Sequence, residues 1–209
     1  MSLPPTLKLR LARPATLHSQ TVAPHAKMTR LLIISAFLFL TGNLLFGQDK
    51  DLLVQDIRSA YSAIRANLDA YDTTMIEIWN ESTEGGQATA YYDNGDLKLI
   101  EVVWLGETGK HLIEYYFRDG QLIFAFDQDF KYNRPIYWDK ETATENGDSE
   151  VFDPKKTTVK EDRYYFNNEK LFLWLDNDRQ EQDLTMGTNS IVGQGLIAHC
   201  YKIKDELEK

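Results

Sequence analysis

Beyond residue 47 the chain holds two histidines, His111 and His199, and its only cysteine, Cys200. A thiolate nucleophile needs a base within hydrogen-bond reach and a third group that orients the base. His199 and Cys200 are sequence neighbours, so on a helix or a strand they point in different directions. Cys200 therefore reads as a small buried apolar residue, and no catalytic set is expected. Two histidines without a second cysteine exclude the usual zinc spacings. Asp176-Asn177-Asp178, followed by Glu181 and Asp183, is spaced like a calcium loop. Its sixth position is Glu181, where such a loop turns on glycine. Asp127-Gln128-Asp129 is a shorter version of the same pattern. Both read as solvated loop acids, and no metal is expected. Gly193-Gln194-Gly195 lacks the Lys and Ser/Thr of a phosphate-binding loop, and no G-x-S-x-G elbow occurs, so no cofactor is expected either. Acids are plentiful enough to leave a hydrolase that uses loop carboxylates as an alternative, although no pair stands out.

The aromatic residues offer a different chemistry. Tyr91, Tyr92, Trp104, Tyr115, Tyr116, Phe117, Tyr164, Tyr165 and Trp174 crowd a run of short strands. Adjacent strand residues face opposite sides of a sheet, so each tyrosine pair supplies both faces. If a helix covers one face, the other becomes either a recognition surface or a second layer of core. In the first case Tyr116, Trp104, Tyr165 and Trp174 are the expected contact residues.

The elements that must position these residues are legible from periodicity. Leu53, Ile57, Ala60, Ile64 and Leu68 form an apolar stripe, predicting an amphipathic helix over 51–70. Strands are expected at 74–79, 88–92, 97–105, 111–118, 121–126, 135–138, 163–166 and 170–175. Asn94-Gly95 and Asp119-Gly120 lie between apolar runs and predict tight hairpins, with positive φ at Gly120. Residues 141–154 read as an exposed polar loop. Val192, Leu196, Cys200, Ile203 and Leu207 have helical spacing, and a short helix is expected from about Gly195, with a strand as the alternative. The expected fold is α+β: the N-terminal helix packed on a curved antiparallel β-meander of about seven or eight strands, closed by the C-terminal helix.

An internal echo runs through the strands. EYYFRDGQLIFAFD (114–127) aligns without gaps with RYYFNNEKLFLWLD (163–176), and YYDNGDL (91–97) repeats its turn. The segment YYDNGDLKLIEVVWLGETGKHLIEYYFRDGQL (91–122) resembles the hairpin repeats of MORN-like proteins. The resemblance covers about 32 residues. It departs in having few, unevenly spaced copies and Asn168-Glu169 in place of the third turn's glycine. It implies an open β-meander and carries over no functional residue. The general layout also resembles uncharacterised secreted proteins of Bacteroidota.

The N-terminal 47 residues carry five basic residues and no acidic one. The apolar run LLIISAFLFL (31–40) follows Met28-Thr29-Arg30, and Gly47 ends the segment. This is the layout of a signal peptide at 28–47, with 1–27 an upstream extension or mis-assigned start. An uncleaved anchor is the alternative, but the run is short for a span. Cleavage leaves one acidic β-rich domain, 48–209, with 18 basic and 32 acidic residues and a formal charge of −14. Such a field argues against nucleic acid and anionic lipid as partners. The expected location is periplasmic or extracellular. The expected role is a non-enzymatic binding or interaction module of the cell envelope, with an envelope protein or glycan as partner. A structural envelope component is the further alternative.

Overall fold

The structure, a computed structural model, describes residues 49–79 and 82–209. The expected signal peptide at 28–47 and the segment 1–27 lie outside the described residues. Seven strands form one sheet: β1 (Asp72–Ile78), β2 (Gly86–Asp93), β3 (Asp96–Gly106), β4 (Gly109–Arg118), β5 (Gln121–Lys131), β6 (Thr158–Asn167) and β7 (Lys170–Leu175). They pair antiparallel in chain order, as a simple meander. Residues 49–66 form helix α1. Helices α2 (Lys140–Glu145) and α3 (Asn189–Leu207) complete an α+β fold. Among the described residues no helix is long and apolar enough to cross a membrane.

Three hairpins share one geometry. The turn residues Asn94 and Gly95 have φ of 51° and 87°, Asp119 and Gly120 have 51° and 75°, and Asn168 and Glu169 have 48° and 57°. Positive φ at both central residues is the two-residue turn whose twist matches the strands it joins. Just before each turn the register shifts, at Tyr91/Tyr92, Tyr116/Phe117 and Tyr165/Phe166. Each shift admits one extra residue on the returning strand and adds local twist. Glu169 takes a glycine's place at the third turn, and its carboxylate accepts a hydrogen bond from Tyr201 Oη of α3.

Alternation along the strands divides the aromatics between two cores. Tyr115, Phe117, Tyr164 and Phe166 are buried with Cys200, Ile203 and Leu207 of α3. Tyr116, Phe124 and Tyr165 are buried with Val54, Ile57 and Ile64 of α1. α3 touches β1, β2 and β7, so both edges of the sheet approach the same helix.

Three expectations need correction. Residues 135–138 are a turn, not a strand: Trp138 N–H donates to Pro135 O at 2.9 Å, and proline has no N–H for a ladder. The expected loop at 141–154 holds α2, started by Asp139, whose carboxylate accepts from Thr142 N–H at 2.9 Å. α3 begins at Asn189, ahead of the glycines expected to delay it. A Cβ on Gly193 would lie 2.6 Å from Leu171 Cβ, so this glycine lets α3 lie close against β7.

Candidate functional site

The four expected contact residues do not form one surface. Tyr116 and Tyr165 are 0% and 2% exposed beneath α1, while Trp104 and Trp174 are half-buried on the opposite face. Tyr116 Oη donates to Glu114 Oε2 at 2.7 Å, and Arg65 Nη1 of α1 donates to Glu114 Oε1 at 2.7 Å. Burial holds the Glu114 carboxyl above its ordinary range, against the pull of Tyr116 and Arg65. Trp174 Nε1 donates to Asp162 Oδ1 at 2.7 Å.

On the α3 face the polar residues engage one another. His111 Nε2 and Asp127 Oδ1 are 2.5 Å apart, and the ring of His111 stacks on Trp104 at 5.1 Å. The hydrogen bond to Asp127 raises the His111 pKa, burial opposes it, and the charges of Asp127 and Asp129 add to it. His199 Nδ1 lies 2.6 Å from Tyr115 Oη. These groups border an open cavity of about 570 Å³ with Leu196 and Gly195 of α3. An acid–base couple is present here, but an activated nucleophile is not. Burial pushes both the Cys200 thiol and the Tyr115 hydroxyl up, away from the ionised form.

The α1 face carries a second cavity, of about 340 Å³, that the residue patterns did not single out. Its roof is the α1 stripe Ile57, Arg58, Tyr61 and Ser62, residues spaced by four along one helix face. Its floor is two directly opposed cross-strand pairs of β5 and β6, Phe124·Tyr165 and Phe126·Arg163. Arg179 reaches it from the turn after β7. That turn is built by Asp176, whose carboxylate accepts from Asp178 N–H, Gln180 N–H and Gln182 Nε2 at 3.0, 2.8 and 2.7 Å. Arg179 sits there with φ of 60°, a conformation few bulky residues adopt. Of the acids spaced like a calcium loop, Asp176 and Asp183 therefore accept backbone N–H groups, and Glu181 pairs with Lys50. Among the described residues no cluster of three or more His, Cys, Asp or Glu is arranged to hold a metal.

Charge in this cavity is unbalanced. The Arg163 guanidinium lies 4.8 Å above the Phe126 ring and donates through Nη2 to Glu161 Oε2 at 2.5 Å. Its Nη1 is buried and has no hydrogen-bond partner among the described residues. Arg58 Nε donates to Tyr165 Oη at 3.4 Å, and neither Arg58 nor Arg179 forms an ion pair among the described residues. Three guanidinium groups thus meet one carboxylate, in a chain whose net charge is −9. The sequence signal was Arg163 itself: a charge on a strand position that shares its face with Tyr165, which must point inward. Chemically the arrangement can hold an oxyanion against aromatic walls. No protein-family model matches the chain, and neither a curated protein nor a solved structure is similar to it.

Proposed function

We propose that this protein is an exported, non-enzymatic binding module of the bacterial cell envelope, and that the arginine-lined cavity between α1 and the sheet is its ligand site. In this reading the leader at 28–47 is removed near Gln48, and the amphipathic N-terminal helix is the fixed roof of the site. The basic, then apolar leader supports export. One observation carries the binding reading: Arg58, Arg163 and Arg179 line one cavity, and neither Arg58 nor Arg179 forms an ion pair among the described residues. A bound oxyanion would give the two exposed guanidinium groups the charge-assisted partners they lack. Titration calorimetry with small anions tests the reading. An Arg58→Ala/Arg179→Ala variant, altered only at exposed positions, is expected to keep its circular dichroism spectrum and bind anions at least about tenfold more weakly. Absence of anion binding, or equal binding by both proteins, overturns it.

A second reading has one specific observation behind it. Asp127 and Asp162 are directly opposed on β5 and β6, and burial holds the Asp162 carboxyl above its ordinary range. Two carboxyls with divergent environments are the raw material of glycoside hydrolysis. Release of reducing ends from envelope glycans, lost in Asp162→Asn, would favour that reading over the binding module.

A further inference from the structure

We infer that the ligand of the arginine-lined cavity is an aryl oxyanion: a flat aromatic ring bearing a carboxylate or a phosphate group. The inference rests on the binding reading above and adds to it the chemical class of the ligand. Three features of the cavity narrow the class.

The first is the donor set. Arg163 is held from both sides, by the ring of Phe126 beneath it and by Glu161 at Nη2, so its Nη1 donor is fixed in place. Arg58 and Arg179 are exposed and stand at the cavity with their charges unpaired among the described residues. A fixed inner guanidinium with two outer, unpaired ones fits a group that offers several acceptor oxygens, as carboxylates and phosphates do.

The second is the wall chemistry. Phe124 stacks with Phe126 at 6.3 Å and meets Tyr165 at 4.9 Å, and Tyr61 of α1 meets Phe124 edge-on at 5.6 Å. These rings extend the surface on which the Arg163 guanidinium lies. A bare inorganic anion would satisfy the arginines but leave the open part of this surface, at Tyr61 and Phe126, wet. A ring attached to the anion covers it, and an aromatic ring gains stacking and guanidinium contacts that a saturated ring lacks.

The third is size. At roughly 30 Å³ for each water-sized group, about 340 Å³ accommodates on the order of a dozen heavy atoms. This suits a ring with its oxyanion and one further substituent.

The test is titration calorimetry of the full protein with benzoate, phenyl phosphate, cyclohexanecarboxylate, acetate and inorganic phosphate at fixed ionic strength. Benzoate or phenyl phosphate is expected to bind at least roughly tenfold more tightly than acetate and inorganic phosphate. It should also bind about fivefold more tightly than cyclohexanecarboxylate. The stronger of the two aryl probes identifies the oxyanion. Phe126→Leu should erase the aromatic preference while anion binding persists. Arg58→Ala/Arg179→Ala should weaken all five probes. If acetate or inorganic phosphate binds as tightly as the aryl probes, the aryl class is wrong while the anion site stands. If cyclohexanecarboxylate equals benzoate, the aromatic requirement is wrong. If none of the five binds, both this inference and the binding reading fail.

Discussion

The two faces of the sheet begin from the same residues and end differently. Tyr115 and Tyr164 point to one face, and Tyr116 and Tyr165 to the other. Beneath α3 the core is closed by Phe117, Phe166, Cys200 and Ile203, and the polar groups beyond it pair off, His111 with Asp127 and Tyr115 with His199. Beneath α1 the aromatic core gives way to a cavity in which guanidinium groups outnumber carboxylates. The difference lies in how the helices meet the sheet. Gly193 brings α3 against Leu171 without a side chain between them. α1 instead presents Arg58, Tyr61 and Ser62 to the cavity over β5 and β6. Aromatic doublets therefore build a sheet with two usable faces, and the side chains around each helix decide whether the cavity left there is lined by paired polar groups or by unpaired arginines.

That contrast can be broken first in the packed core under α3. Phe117→Ala removes a side chain 1% exposed under α3 and should cost about 3–5 kcal/mol in urea denaturation. Arg58→Ala, at the α1 cavity, should change stability by less than about 0.5 kcal/mol. Similar losses in both variants would mean that the α1 cavity is part of the structural core. Gly193→Val drives a side chain into Leu171 and should cost about 1–3 kcal/mol; unchanged stability would show that the close approach of α3 to β7 is dispensable.

The turns sharpen the contrast at a smaller scale. Gly120→Val places a β-branched residue at φ of 75°, and a loss of roughly 1 kcal/mol or more is expected on thermal or urea unfolding. Glu169→Gly relieves a side chain at φ of 57° but deletes the acceptor for Tyr201 Oη. Its net effect should fall within about 0.5–1 kcal/mol of zero, because the gain of an unstrained turn offsets one exposed hydrogen bond. A loss as large as that of Gly120→Val would make the Glu169–Tyr201 contact a principal tie between α3 and the sheet.

Proton titration separates the faces as well. Asp127 raises the His111 pKa, so the folded state binds this proton more tightly than the unfolded chain. The resulting stabilisation is fully present below the ordinary histidine pKa of about 6.5 and is lost as pH rises through the folded value. The NMR titration midpoint of His111 should lie above that of a free histidine and fall in Asp127→Asn. A midpoint unmoved by that substitution would contradict the coupling.

Much of the scaffold could be read from the chain, and the reason is local. Asn94-Gly95 and Asp119-Gly120 mark turns because few residues accept positive φ at two consecutive positions. The stripe Val192, Leu196, Cys200, Ile203 and Leu207 is the face that α3 lays on the sheet. Gly193 was misleading because its role is a contact with Leu171, which is distant in sequence. α2 was missed because a single capped turn and a half leaves no period to detect. The arginine-lined cavity was legible only in Arg163, one of its three cations. Arg58, Arg163 and Arg179 come from a helix, a strand and a turn, and only the pairing of β5 with β6 and the placement of α1 bring them together. Trp104 and Tyr165 drew attention as aromatics, yet alternation sends them to opposite faces.

The central claim is that the α1 face, and not the α3 face, receives the ligand. Side-chain NMR of the full protein during a benzoate titration reads both faces at once. The account predicts saturable shifts of the Arg58 and Arg163 Nε–Hε resonances and of the Tyr61 and Phe126 rings, with His111 and His199 unmoved. Saturable shifts confined to His111, His199 and the indole of Trp104, with the arginine resonances unchanged, would contradict it.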